Sequence, residues 1–282
     1  MDWNWKNTAL MGAGTTRAPL LRACRRDPRC SYYLYLPKGF TLENAKDSNI
    51  AAIIHGTGRN AEKLRDAFVD FADETHTVIL APLFPTGIID REDIHNYKFI
   101  KFQDIRFDYI LLDMIDEIRE IFGIATTKFM LHGFSGGGQF AQRMLYLHPE
   151  RLMAVSAGAP GRATHLDENE DWSAGTRDFE EQFGKKLDFE AIRKVPVLLL
   201  IGMEDTEAVD YSGDPTASQT ALGRGTNRLE RIRALSENYR THGLQVQLQE
   251  IPGLAHENLK FVGYAKDFFK QILDLEHKTG GS

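Results

Sequence analysis

Cysteine is almost missing from this sequence: Cys24 and Cys30 are the only two among 282 residues. A chain that relies on disulfides carries more of them, so both thiols are expected to be free, although their spacing around Asp27-Pro28 would let a disulfide close that loop. Nor do they supply the four ligands of a structural zinc site. Long apolar runs are missing as well. No segment has the length and apolarity of a bilayer span, and the first thirty residues hold no signal-peptide core, which leads to the expectation of a soluble, cytoplasmic protein without membrane partners. Positive charge is in deficit, with 34 Lys and Arg against 40 Asp and Glu and a net charge of -6. That balance argues against a nucleic acid partner, because phosphate binding needs a basic face. The one basic cluster, Arg22, Arg25, Arg26 and Arg29, reads as a solvated turn.

What is present is an ordinary globular composition, 42% hydrophobic and 26% charged, which excludes disorder as the main state. The length suits one large domain. Short apolar runs alternate with amphipathic stretches, the pattern of a mostly parallel sheet of about eight strands with helices on both faces. Strands are expected over 31–36, 50–54, 77–81, 128–132, 152–157, 195–201 and 246–251, with a further one near 9–15. Helices are expected over 61–74, 110–122, 136–148, 226–241 and 258–273. Asn60 and Asp108 are the expected caps of the first two, and Pro149 stops the third. Two polar, glycine-rich stretches, 161–194 and 206–225, break the rhythm and read as lid or binding loops.

The strand ending at His132 runs into Gly133-Phe134-Ser135-Gly136-Gly137, and a helix follows. A G-x-S-x-G string between a strand and a helix puts its serine on a sharp turn where the hydroxyl is exposed at the sheet edge, so Ser135 is the candidate nucleophile. The free N–H groups of the helix start favour a negative oxygen, which makes the Gly136 amide one candidate oxyanion donor. A second donor belongs in the loop after an earlier strand, where His55-Gly56-Thr57-Gly58 stands, and the Thr57 amide is assigned to it. The same loop matches the dinucleotide pattern G-x-G-x-x-A through Gly56, Gly58 and Ala61. That reading lacks the acidic residue at the end of the next strand, which runs into Pro82-Leu83-Phe84.

The acid and base of such a site follow the serine in chain order. The apolar run Val195 to Ile201 emits Gly202-Met203-Glu204-Asp205, and Asp205 is preferred over Glu204 and Asp210 because the strand-Gly-x-x-Asp arrangement turns it back over the sheet edge. The last strand leads into Pro252-Gly253-Leu254-Ala255-His256, and His256 is the candidate base. His55 and His132, also at strand ends, are expected to support the site. His256-Glu257 does not begin a zinc helix, since Lys260 occupies the position of the second histidine, so no metal is expected.

Taken together, Tyr32-Tyr33-Leu34-Tyr35-Leu36-Pro37 and the four motifs around Thr57, Ser135, Asp205 and His256 resemble the α/β-hydrolase superfamily, and within it the single-domain esterases related to polyhydroxybutyrate depolymerases and feruloyl esterases. The resemblance implies hydrolysis of a carboxylic ester without a cofactor. Those relatives are commonly secreted and disulfide-bonded, which this chain is not expected to be, so the expected partner is a small or medium-sized ester and not a polymer. The same triad would also serve an amidase, a lactonase or an acyltransferase, and the scaffold could serve a binding protein. Phe134, Trp172 and Tyr211 are the candidate substrate contacts, with Phe179, Phe183 and Arg224 as further specificity positions.

Overall fold

A computed structural model describes residues 5–15, 21–209 and 219–279. Its strands in chain order are β1 (Leu21–Ala23), β2 (Ser31–Tyr35), β3 (Asn49–Ile54), β4 (Thr77–Leu83), a small hairpin of β5 (Lys101–Phe102) and β6 (Ile105–Arg106), then β7 (Phe129–Phe134), β8 (Leu152–Gly158), β9 (Val197–Gly202) and β10 (Val246–Ile251). The helices are α1 (Trp5–Met11), α2 (Ala61–Ala67), α3 (Val69–Thr75), α4 (Phe107–Phe122), α5 (Gly136–Leu147), α6 (Phe179–Phe183), α7 (Phe189–Ile192), α8 (Gln219–Gly223), α9 (Arg228–Thr241) and α10 (Asn258–Thr279).

Eight strands form one sheet in the order β1-β2-β4-β3-β7-β8-β9-β10. β1 and β2 run antiparallel to their neighbours and the remaining pairs are parallel. The continuous apolar runs of β3, β7 and β9 are buried along almost their whole length, as central strands covered on both faces must be. β10 alternates glutamine and glutamate with apolar residues and lies half-exposed at the edge. Because β3 leads to β4 on one side while β7 lies on its other side, the carboxyl ends of β3 and β7 flank the point where the strand order reverses. Open α/β sheets leave a crevice there.

Helix α4 owes its position to Ile110, Leu111, Met114, Ile115, Ile118 and Phe122, all buried on one face. Burying each such side chain is worth about 1.5–3 kcal/mol, far more than the few tenths that isoleucine costs in a helix relative to alanine. Gly123 ends the helix in the left-handed conformation, φ 77°. All twelve residues of α5 are buried, which makes it the central helix under the crevice. No helix among the described residues is long and apolar enough to cross a membrane.

Several local expectations are corrected. The strand expected near 9–15 is the end of α1, closed by the Gly12 N–H donating to Thr8 O at 3.1 Å; its short apolar run Ala9-Leu10-Met11 suits either period. The eighth strand is instead Leu21–Ala23. The helix expected over 61–74 breaks at Phe68, whose buried ring turns inward against Phe71 and His132. Asn60 makes no side-chain cap. Asp108 lies inside the first turn of α4, fully buried, where its carboxylate accepts from His148 Nε2 at 2.8 Å and from Arg106 at 2.5 Å.

Arg25, Arg26 and Arg29 are exposed, as expected of a solvated turn, and Arg22 is half-buried. Arg22, Arg25 and Arg26 pair with Glu117, Glu120 and Asp113 on α4, and Arg29 pairs with Asp27. Between them Cys24 and Cys30 are buried free thiols, joined by a backbone bond of 2.9 Å that extends the β1–β2 ladder.

Removing one member of a buried ionic cluster leaves the others desolvated and unpaired. Asp108→Ala is therefore expected to lower unfolding free energy by about 3 kcal/mol, measurable as a shift of the urea midpoint.

Candidate active site

Ser135 sits between β7 and α5 with φ 58° and ψ -117°, a region that non-glycine residues avoid at a cost of about 1–3 kcal/mol. The surroundings enforce it. A methyl group on Gly133 would lie 2.1 Å from the Gly137 carbonyl oxygen, and one on Gly137 would lie 2.3 Å from the Ile54 carbonyl oxygen. Only glycines let the first turn of α5 approach β7 and β3 this closely. The Ser135 amide donates to Gly158 O at 2.8 Å, and its carbonyl accepts from Gln139 N at 3.0 Å. Both backbone groups are thus engaged, and the residue is half-buried.

The loop after β3 is clamped beside it. His55, fully buried, uses both ring nitrogens: Nε2 accepts from the Phe84 amide at 3.0 Å and Nδ1 lies 2.8 Å from Gly56 O. That pair of partners requires the neutral ring with its proton on Nδ1, and burial pushes its pKa down to about 3. Tyr97 Oη donates to His55 O at 2.8 Å, and Arg59 donates to Thr57 O, Ile94 O and Phe84 O at 2.8–3.1 Å. Thr57 itself is exposed and its amide donates to no group among the described residues. Gly136 opens α5, where an N–H has no partner within the helix.

On the other side of β7 the loops after β9 and β10 are laced together. Met203 N donates to Ile251 O at 3.0 Å and Glu204 N to Leu254 O at 2.9 Å. This brings Asp205 and His256, 51 residues apart, to 2.5 Å between Oδ2 and Nδ1. Glu204 points to solvent, while the Asp205 side chain is 1% exposed. Burial alone would raise the Asp205 carboxyl; its hydrogen bond to His256 and the charges of His256 and Arg228 outweigh that and hold it below the usual carboxylate range. With Nδ1 occupied, Nε2 is the nitrogen left for the serine side. Ser135 Oγ and His256 make no hydrogen bond in this structure, a looseness common before substrate binds. The Phe134 ring packs on the imidazole at 5.0 Å between centroids.

The candidate substrate contacts fare differently. Phe134 is 1% exposed, wedged between His256 and Phe261, so it packs behind the nucleophile and does not line an open cleft. Trp172 meets Phe179 and Phe183 edge to face, and its Nε1 donates to Phe99 O at 3.3 Å, which puts it in an aromatic cluster within 161–194. Arg224 ties the two irregular stretches together through Asp167 Oδ2 and Ala174 O, both at 2.7 Å. Tyr211 and Asp210 lie outside the described residues.

Two neighbours of the site have no motif to announce them. Lys98, 3% exposed, lies over Gly136, where a methyl would be 2.8 Å from its Cε, and its Nζ is 2.8 Å from His95 Nδ1. Burial, helped by the charges of Arg59 and Arg162, pushes its pKa down to about 7. The other is Arg228, which reaches Asp205. Both belong to segments that only chain folding brings to the sheet edge. Among the described residues no group of three His, Cys, Asp or Glu side chains is placed to hold a metal.

The protonation of His55 sets a pH dependence. The unfolded chain takes up the proton as pH falls through about 6.5, whereas folded His55 resists until about 3, so its contribution is complete above the first value and is lost toward the second. Urea unfolding at about pH 7 and about pH 4.5 is expected to show a smaller acid loss in His55→Asn than in the wild type.

No protein-family model matches the sequence, and no curated protein matches it. Solved structures do match. A poly(aspartic acid) hydrolase of a Sphingomonas species is 24% identical with a TM-score of 0.68, over 84% of this chain and 92% of that one. A poly(3-hydroxybutyrate) depolymerase of Bordetella parapertussis is 23% identical with a TM-score of 0.67, over 85% of each chain. An S-formylglutathione hydrolase of Agrobacterium tumefaciens is 16% identical with a TM-score of 0.56, over 87% and 89%. At these identities the likeness is one of architecture, and together with the eight-stranded, mostly parallel sheet it establishes that this chain has the α/β-hydrolase fold.

Proposed function

We propose that this protein is a serine hydrolase that cleaves a carboxylic ester of a small or medium-sized substrate through an acyl-enzyme. His256 Nε2 takes the proton of Ser135 Oγ as that oxygen attacks the ester carbonyl carbon, and the carbonyl electrons move onto the oxygen. The Thr57 and Gly136 amides hold this oxyanion. Asp205 stabilises the imidazolium, which then returns the proton to the departing alcohol. A water molecule, deprotonated in turn by His256, attacks the acyl group and releases the acid and free serine.

One observation supports the reading: a serine in a forbidden backbone region has Gly56, the neighbour of the uncommitted Thr57 amide, against its Cβ, and follows Phe134, whose ring packs on a histidine with Nδ1 2.5 Å from a buried carboxylate. A helix start packed on a sheet for stability alone has no need of the strain at Ser135 or of a buried, ionised Asp205. The reaction class agrees with the names of the fold relatives, which are hydrolases and a depolymerase.

Ser135→Ala and His256→Ala are each expected to lower kcat on a short-chain ester by at least about a thousandfold, and a fluorophosphonate probe is expected to label wild-type protein and not Ser135→Ala. Full turnover by Ser135→Ala would remove the assignment. Offering the ester and the amide of one acyl group tests the bond, with faster ester cleavage expected and an amide preference counting against it.

A further inference from the structure

Asp205 is a carboxylate with two claimants. His256 takes Oδ2, and Oδ1 accepts from Arg228 Nη1 at 3.1 Å. Arg228 is the first residue of α9, and a cation is unfavourable there, because the helix start carries a partial positive charge. Local helix chemistry thus opposes this residue type at this position. The rest of the helix start is built to hold it firmly. Asn227 caps the helix by accepting from Glu230 N at 2.9 Å, and Glu230 Oε2 accepts from the Thr226 amide at 2.7 Å and the Thr226 hydroxyl at 3.0 Å. The loop leaving Asp205 is joined to the same turn by a bridge between Ala208 and Asn227 and by Val209 N donating to Thr226 O at 2.9 Å. Acid and arginine are therefore held on one rigid piece, and the Arg228 side chain is 21% exposed against 1% for Asp205.

A carboxylate with one partner can rotate about its last bond. With Oδ1 held by a guanidinium fixed to α9, Oδ2 has one direction left, toward the imidazole. We propose that Arg228 is a positioning residue of the catalytic site: it locks the Asp205 carboxylate so that Oδ2 meets His256 Nδ1 in the orientation that turns Nε2 toward Ser135. The proposal rests on the serine hydrolase reading for its kinetic consequence, while the arrangement of acid and histidine can be read without any substrate.

The test combines kinetics with a spectroscopic signature. The proton shared by His256 Nδ1 and Asp205 gives a low-field proton resonance, assigned by its loss in Asp205→Asn. In Arg228→Gln this resonance is expected to shift or exchange away, kcat for the ester to fall about tenfold, the scale of one charge-assisted hydrogen bond, and KM to stay within about twofold. Arg228→Lys is expected to restore the resonance and most of the rate. If Arg228→Gln does not fold, as judged by circular dichroism and thermal unfolding, Arg228→Met keeps the aliphatic stem and takes its place. An unmoved resonance with unchanged kcat overturns the proposal, and so does a rise in KM at constant kcat, which would make Arg228 a substrate contact. A wild-type protein that cleaves no ester but whose resonance responds to Arg228→Gln would sink the ester reading and leave the positioning role standing.

Discussion

Everything at the site depends on how closely the first turn of α5 approaches β3 and β7. Gly133 and Gly137 leave no room for a methyl group, and the backbone between them turns so tightly that Ser135 is forced to a positive φ. The strain of about 1–3 kcal/mol is small beside what the twelve buried residues of α5 gain by packing. A fully buried helix can hold such a turn; a surface helix would relax it. The approach also sets the serine, the start of the helix and the loop after β3 beside one another at the carboxyl edge of the sheet.

Burial then decides the charge state of the groups around that edge. His55 is wholly enclosed and hydrogen-bonded through both nitrogens, so it stays neutral and acts as a structural pin for the Thr57 loop. Asp205 is equally enclosed but is hydrogen-bonded to His256 and to the Arg228 guanidinium, and these interactions exceed the cost of desolvation, so it stays ionised. Lys98 meets burial with other positive charges nearby and has its ammonium destabilised. The same low-dielectric surroundings thus give three outcomes, each set by the partners the fold supplies.

The stretch 161–194 is more organised than its composition suggests. Trp172, Phe179 and Phe183 form a small apolar cluster, and Arg143 on α5 donates to Thr164 Oγ1, Lys98 O and Arg162 O, fastening the stretch to the central helix. The aromatic side chains that looked available for a substrate are largely spent on one another. The position of this segment against α5 is therefore tied to the core and not only to the loop's own sequence.

Seven of the eight sheet strands could be read within two residues from the sequence: the central ones because a strand buried on both faces must be a continuous apolar run, and the half-exposed edge strand β10 because it alternates polar and apolar residues. The strand-serine-helix turn was legible for a similar reason: its glycines answer to backbone contacts only a few residues away. The order of Thr57, Ser135, Asp205 and His256 along the chain, each beyond a strand end, follows from the same alternation. What the sequence could not decide were contacts between segments far apart in the chain. The acids that Arg22, Arg25 and Arg26 meet on α4 are one case. Phe134 and Trp172 have the same chemistry whether they face a cleft or a core, and only packing assigned them. The run at Ala9 to Met11 is too short for its period to separate helix from strand. Arg228 carries no motif at all, and its place against Asp205 exists only because a bridge between Ala208 and Asn227 folds the start of α9 back over the end of β9. Local backbone geometry is written in neighbouring residues, whereas the partner of a buried charge is chosen by the whole fold.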